Sequence, residues 1–155
     1  MEDRGIQDYY EDRFSHCYGC GRLNDRGFHL KTRWEGDETV TRFRPEPYHS
    51  AIPGFVYGGL LASLIDCHGT GSSALAHARE HHLELEEFNA PRFVTVALKV
   101  TYKRPTPLGP ELEIRGRIRE VKGKKVVVDA AVMAEGRICA TGEIVSVLVP
   151  EDFGS

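Results

Sequence analysis

The stretch that decides the fold is GFVYGGLLASLIDCHG, from Gly54 to Gly69. Apolar residues recur in it at helical spacing with small residues between them, which predicts a helix with a close-packing face. Two features conflict with a purely structural helix. A glycine pair, Gly58-Gly59, stands where the helix begins, and Asp66 ends the apolar run. An unpaired carboxylate in an apolar site is costly unless it has a partner, so Asp66 is a candidate functional residue.

The rest of the chain predicts a sheet around this helix, which we expect to end near residue 78. Before the helix, alternating polar and apolar residues around the turn EGDE predict a hairpin over about residues 28–44. After it, RFVTVALKVTYKRP predicts a strand over about residues 93–102, and three more strand-like pieces follow across short turns. The order β-β-α-β-β-β-β is an α+β arrangement, with one long helix on an antiparallel sheet of about six strands.

The length of 155 residues predicts a single domain with one core. We expect an N-terminal segment over residues 1–15, in which a short helix is one option, a single domain over residues 16–150, and a C-terminal tail over residues 151–155. Repeats, linkers and low-complexity stretches that would indicate a second domain are absent from the sequence.

Composition excludes several classes of partner. The net charge of −3 gives no attraction to nucleic acid or to an anionic membrane. The longest uncharged run, residues 47–65, contains proline and glycine and is closed by Asp66, so we predict no transmembrane helix. The charged N-terminus does not resemble a signal peptide. The four cysteines are too sparse for a secreted disulfide scaffold, which favours a cytoplasmic location.

The spacing between the glycine pair and Asp66 has a consequence for any shared chemistry. The first amides of a helix have no intrahelical partner, and glycine lets a ligand oxygen approach them, as in an oxyanion hole. A tight turn explains the glycine pair equally well, and a solvent-facing position explains Asp66. Gly58 and Asp66 lie about 12 Å apart along one helix. If both act on one carbonyl, the carboxylate must come from a second chain, as in a two-fold dimer with antiparallel helices.

Three stretches, CYGCGRLNDRGFHLK, HSAIPGFVYGGLLASLIDCHG and VTYKRPTPLG, together resemble the hot-dog-fold acyl-CoA thioesterases of the phenylacetate-degradation type. The resemblance extends over residues 17–149. It implies the hot-dog fold, hydrolysis of an acyl-CoA substrate to a free acid and coenzyme A, no cofactor, and a homodimer or a dimer of dimers.

The resemblance also implies catalytic roles. In that family the first glycine amide of the helix polarises the thioester carbonyl, and an acidic residue from the facing subunit is the nucleophile or general base. The matching positions are Gly58, with Gly59 as a second amide, and Asp66. Thr95 matches a serine or threonine that positions the attacking water, although an ordinary strand threonine explains it too.

Substrate-binding positions follow from the same resemblance. His49 matches a polar residue that lines the thioester site, and a surface loop histidine is the alternative. Tyr57 stands where histidine is usual, and its phenol can still donate a hydrogen bond. His68 is assigned no role, because at two residues from Asp66 it faces away from it. The cations that can meet coenzyme A phosphates are Lys103, Arg104, Lys99 and the turn at residues 122–125.

Metal sites are not predicted. Cys17-x-x-Cys20, with His16 beside it, is half of a zinc site, and no second cysteine or histidine pair follows at suitable spacing. The order His-x-x-Glu-His at residues 77–81 matches one metalloprotease class, but a charged helix end explains it more simply. Two other functions stay open. One is a hot-dog hydratase or dehydratase, and the other is a non-catalytic acyl-CoA or acyl-carrier binding protein, favoured by Tyr57 in place of histidine.

Overall fold

The computed structural model describes residues 4–154. These residues form one long α-helix and six strands in the predicted order, which confirms the α+β arrangement. The elements are β1 (Thr32–Glu35), β2 (Glu38–Phe43), α1 (Gly58–Glu80), β3 (Phe93–Tyr102), β4 (Leu112–Lys122), β5 (Lys125–Ala134) and β6 (Arg137–Leu148).

The strands form one sheet in the order β1-β2-β4-β5-β6-β3, and every neighbouring pair is antiparallel. Helix α1 crosses one face and contacts all six strands. After α1 the chain enters the sheet at the edge opposite β1, where β3 pairs with β6. The helix and the edge strand β3 are therefore adjacent, which positions the candidate site.

Two predicted boundaries differ from the structure. The hairpin was predicted over residues 28–44, but residues 28–31 stay outside the sheet. The amides of Phe28 and Leu30 donate instead to the carbonyls of Tyr18 and Gly19. The helix begins at Gly58, at the glycine pair, and ends at Glu80, two residues beyond the predicted end. Before it, the amide of Val56 donates to the carbonyl of Thr106 in an extended segment.

The described part of the N-terminal segment packs on the core. It contains two short 3-10 helices, Ile6–Tyr9 and Asp12–Phe14. Ile6 and Tyr10 are both 1% exposed and belong to the main hydrophobic cluster. Apolar burial of this kind stabilises each side chain by roughly 1.5–3 kcal/mol, which fixes the segment against α1 and β1.

Close contact between α1 and β6 depends on two glycines. A Cβ on Gly69 would lie 2.4 Å from the side chain of Ile144, and one on Gly142 would lie 2.4 Å from that of Ile65. Both distances are far below van der Waals contact, so neither glycine tolerates a side chain without movement of the helix. Among the described helices, none combines the length and apolarity that crossing a membrane requires.

A hydrogen-bond network runs through the core beside these apolar contacts. The fully buried imidazole of His68 lies with Nδ1 2.7 Å from Thr41 Oγ1 and Nε2 3.1 Å from Thr39 Oγ1. Thr41 bonds onward to Thr32, and Thr39 bonds onward to Ser72. Burial lowers the pKa of His68 to about 3, so the imidazole is neutral. This group is called the His68 network below, and the side chain of Gln7 completes it by bonding Thr32.

Candidate active site

Asp66 is held by one hydrogen bond from the edge strand. Thr95 Oγ1 donates to Asp66 Oδ1 at 2.5 Å, and the carboxylate is half-buried. Among the described residues, the second carboxylate oxygen has no hydrogen-bond partner. A β-bulge interrupts the pairing of β3 with β6 directly after Thr95, between Thr95 and Ala97. Bulges redirect side chains and are frequent beside active sites. The geometry gives a fixed carboxylate with one oxygen open for chemistry.

The other candidate group is the N-terminus of α1. Tyr57 is the N-cap residue in an extended conformation, and its side chain makes no capping hydrogen bond. The amides of Gly58 and Gly59 are the first of the helix and have no preceding helical carbonyl to bind. The hydroxyl of Tyr102 donates to the Gly58 carbonyl at 2.7 Å, which fixes this first turn against β3. The helix dipole adds positive potential where these amides point.

Tyr57 explains why the second position of the pair is glycine. A Cβ on Gly59 would lie 2.5 Å from the Tyr57 ring, so any other residue would displace that ring. The Tyr57 amide donates to the carbonyl of His49 at 2.9 Å, and this bond anchors the turn into the helix. The Tyr57 side chain is 58% exposed and lies beside the N-terminus of α1.

A cavity of about 430 Å³ opens beside Gly58. Its other lining residues are Val56, Leu61, Tyr102, Lys103, Arg104, Pro105 and Thr106. The side-chain oxygen of Thr106 is buried and, among residues 4–154, has no hydrogen-bond partner. The Arg104 guanidinium donates to the carbonyl of Ile138 at 3.0 Å. The cavity therefore combines apolar walls, helix amides and two cations.

The structure separates the other predicted site residues from this cavity. The His49 ring packs among Phe28, Phe43 and Tyr48, and its Nδ1 accepts the amide of Glu46. It lines a different cavity of about 240 Å³. Lys99 lines a third cavity, of about 520 Å³, on the sheet face away from α1.

Within one chain, the predicted catalytic residues and the two cations next to β3 form two groups. Asp66 and Thr95 are together, and Gly58, Lys103 and Arg104 are together. Asp66 does not line the cavity beside Gly58. A single chain therefore brings the carboxylate and the helix amides to different places.

Sequence reasoning missed two side chains at or near these groups. Tyr102 bonds Gly58 across 44 residues of sequence. Cys67 lies in contact with Cys17, their sulfurs 3.8 Å apart, and joins Cys20 in one cluster. Hydrogen bonding with the thiols of Cys20 and Cys67 holds the pKa of Cys17 well below its ordinary value. No motif spacing reveals either contact, since both depend on tertiary structure.

Comparison with known proteins identifies the family. The family model described as Thioesterase superfamily matches residues 53–141. The acyl-coenzyme A thioesterase THEM4 of Xenopus laevis is 33% identical over 87 residues, which are 56% of this chain and 33% of that protein. The THEM4 protein of Mus musculus is 27% identical over 62% of this chain and 36% of its own length. The chain thus spans about a third of the length of these curated relatives.

Solved structures agree with the family model. A thioesterase superfamily protein from Shewanella loihica PV-4 is 48% identical and covers 91% of this chain and 100% of its own, with a TM-score of 0.69. A thioesterase from Haemophilus influenzae, 12% identical, shares the fold with a TM-score of 0.66 over 92% of this chain and 99% of its own. The family model covers more than half of the chain, and the central helix, sheet order and relatives agree with it. The chain belongs to the thioesterase superfamily and has the hot-dog fold.

Proposed function

We propose that this protein is an acyl-CoA thioesterase whose active site is shared between two subunits of a homodimer. Asp66 of one subunit acts with the amides of Gly58 and Gly59 of the other. The observation that carries the proposal is the Asp66–Thr95 pair, a fixed carboxylate with one free oxygen next to an uncovered sheet edge. The acyl-CoA substrate is the one named for the THEM4 relatives.

The open outer edge of strand β3 supports the dimer. Among the described residues, β3 pairs only with β6, and its outer edge is open over its 10-residue length. Val96, Leu98 and Tyr102 on it are 59%, 38% and 52% exposed. A long open edge with exposed apolar residues is a template for pairing. Two-fold pairing of β3 with its copy would cover this edge, extend the sheet and set the two α1 helices antiparallel.

This arrangement accounts for the separation of the two groups. Along α1, Gly58 and Asp66 are about 12 Å apart, too far to act together in one chain. Antiparallel helices related by a two-fold axis bring Asp66 of one subunit towards Gly58 of the other, twice per dimer. A dimer of dimers is compatible with the same pairing, because the sheet face away from α1 stays free.

The reaction assigns a step to each group. Asp66 removes a proton from water while the water oxygen attacks the thioester carbonyl carbon, or its free oxygen attacks that carbon directly. The carbonyl oxygen becomes an oxyanion, which the Gly58 and Gly59 amides stabilise. The oxyanion collapses and the carbon–sulfur bond breaks. In the water route the sulfur takes up the proton held by Asp66 and leaves as the thiol of coenzyme A, and the free acid is the other product. In the direct route the sulfur leaves as a thiolate and takes a proton from solvent, the acyl group stays on Asp66 as a mixed anhydride, and water then hydrolyses the anhydride to the free acid. Thr95 keeps the carboxylate oriented and positions the water.

The substrate is held by the cavity beside Gly58 in this proposal. Lys103 and Arg104 lie at its wall, where they can meet phosphate groups of coenzyme A. The exposed Tyr57 phenol is available to donate a hydrogen bond to the substrate. His49 acts through its backbone, because its carbonyl holds the Tyr57 amide.

The phenylacetate-degradation subtype and a cytoplasmic location are parts of the same proposal. The subtype is supported by the three motif stretches of the sequence. The location is supported by the four cysteines, all of which are free thiols in the structure.

A panel of acyl-CoAs with a thiol-detecting reagent tests the activity. Release of free coenzyme A from at least one aliphatic, aromatic or hydroxylated acyl-CoA is expected. An absorbance change without thiol release would indicate a hydratase instead. A second candidate is a non-catalytic acyl-CoA binder, which Tyr57 at the histidine position favours. Tight binding of every acyl-CoA without turnover would select it and reject hydrolysis.

A further inference from the structure

Three cysteines from two distant parts of the chain converge next to the core. Cys17 and Cys20 lie on the loop before β1, and Cys67 lies on α1. Their sulfurs are all within 4.8 Å of one another, and those of Cys17 and Cys67 are 3.8 Å apart. Cys20 and Cys67 are 2% and 6% exposed, whereas Cys17 is only half-buried. The cluster thus has one side towards solvent.

We propose that Cys17, Cys20 and Cys67 bind a zinc ion that ties the N-terminal loop to α1. In a tetrahedral site with zinc–sulfur bonds of about 2.3 Å, neighbouring sulfurs are about 3.8 Å apart. The Cys17–Cys67 distance of 3.8 Å has this value. The other two pairs are within 4.8 Å and need a shift of at most about 1 Å, which a side-chain rotation supplies. The sequence offers two ligands, and the fold supplies the third.

The loop at residues 17–21 is shaped to present these sulfurs. The Gly21 amide donates to the Cys17 carbonyl at 2.8 Å and closes the turn around the Cys-x-x-Cys pair. Gly19 lies against Cys67, where a Cβ would be 2.3 Å from the Cys67 sulfur. Only glycine leaves room for that thiol to reach the pair. The bonds of Tyr18 and Gly19 to Phe28 and Leu30 then fix the loop.

The charges around the cluster suit a metal thiolate site. Three thiolates and one Zn²⁺ carry a net charge of −1. The half-buried guanidinium of Arg92 lies close enough to interact electrostatically with all three sulfurs, and its +1 charge balances that site. A water molecule from the open side would complete the four ligands.

Cys139 shows how a purely structural cysteine differs. It is 1% exposed within β6, lies outside the cluster, and its thiol faces the carbonyl of Arg137 at 3.6 Å. Cys139 is therefore the matched control for the three cluster cysteines. The site is independent of the thioesterase proposal, because none of its residues is assigned to the reaction.

The test is the zinc content of the full chain, purified under reducing conditions without chelator and measured by mass spectrometry of the metal. We expect about one zinc per chain in the wild type and in Cys139→Ser. Cys17→Ser and Cys67→Ser should weaken zinc binding by more than about 100-fold, beyond the typical loss for an outer-shell residue. Co²⁺ added to the metal-free wild type should give thiolate charge-transfer absorption.

Two results would overturn the proposal. One is a wild-type protein that lacks stoichiometric zinc and also gives no thiolate absorption with Co²⁺. Wild-type protein in which Cys17 and Cys67 form a disulfide instead counts as this result. The other is zinc retained at wild-type level by the Cys17→Ser, Cys67→Ser double variant. The wild-type measurements decide the question even if a variant fails to fold.

Discussion

Asp66 and His68 lie two residues apart on α1, yet their surroundings are opposite. His68 is fully buried, and both ring nitrogens are bonded within the His68 network. Asp66 is half-buried and, within the described part of the chain, accepts a single hydrogen bond, from Thr95. A buried polar group with every partner supplied stabilises one structure, whereas a polar group with a free oxygen at an open edge is available to a ligand. Helix α1 thus has a closed face, where the polar residue His68 is structural, and an open face, where the polar residue Asp66 is available for chemistry.

The largest expected effect belongs to the open face. Asp66→Asn removes the charge but keeps the shape and one acceptor for Thr95. We predict a loss of about 10³-fold in kcat for acyl-CoA hydrolysis, within the range for a lost general base, with thermal stability nearly unchanged. The assay is thiol release. Asp129→Asn, an exposed carboxylate paired with Arg119, is the control and should retain activity. Equal rates for Asp66→Asn and the control would show that Asp66 has no part in hydrolysis.

A change at His68, on the closed face, should lower the free energy of unfolding. His68→Ala removes one hydrogen-bond partner from each of the Thr39 and Thr41 hydroxyls and opens a cavity. We predict a decrease in the free energy of unfolding of about 2–4 kcal/mol, measured by urea denaturation. The activity per folded molecule should be retained, because His68 does not touch the candidate site. A variant as stable as the wild type but inactive would reverse the assignment of the two faces.

The two faces also differ in their dependence on pH. Burial lowers the pKa of folded His68 to about 3 from an ordinary 6.5, so between these values the unfolded chain binds more protons. The contribution to stability is complete above pH 6.5 and declines below it by up to about 1.4 kcal/mol per pH unit. Between pH 6.5 and pH 5, the wild type should lose about 2 kcal/mol more than His68→Gln in urea denaturation. Parallel pH profiles for both proteins would show that His68 takes up its proton equally in the folded and unfolded chain, which would contradict the lowered pKa of the buried imidazole.

The smallest expected effect is at the hydrogen bond that holds Asp66. Thr95→Val keeps the β-branched shape and removes the donor, so the carboxylate loses its orientation but stays in place. We predict a decrease of about 10-fold in kcat, since one hydrogen bond to a charged group contributes about 1.5–3 kcal/mol at most. Thr95→Ser, which keeps the hydroxyl, should recover most of the rate. A full loss in both variants would point to a packing role for Thr95.

Local patterns in the sequence were enough to predict most of the fold. The bounds of β3 and the existence of α1 follow from periodicity, because each element buries one face. The pairing of residues 28–31 with the loop at residues 17–21 was not predictable, since it rests on hydrogen bonds between two loops that no local pattern indicates. The His68 network was also missed, because it needs the register of β1 and β2 under the helix.

Parts of the candidate site required three dimensions. Gly58, Asp66 and Thr95 were selected from the sequence, and the structure pairs the last two. Their roles remain proposals. Tyr102 bonds Gly58 and Cys67 contacts Cys17 across 44 and 50 residues of sequence. No spacing rule connects residues on different elements at such separations, so these contacts appear only once the sheet order is known.

The central claim is that two chains complete each active site, and mixed dimers test it most directly. Gly58→Pro removes the first amide N–H at a position where proline is tolerated, because the preceding residue, Tyr57, is extended. Gly58→Pro and Asp66→Asn homodimers should each be nearly inactive, with Gly58→Ala as the control that keeps the amide.

Refolding the two inactive variants together at equal amounts gives mixed dimers as half of the population. If each site takes Asp66 from one chain and Gly58 from the other, every mixed dimer has one intact site, and about a quarter of the wild-type rate returns. Thiol release from the mixture measures this recovery. A mixture that forms mixed dimers but stays as inactive as its two parents would contradict the shared site.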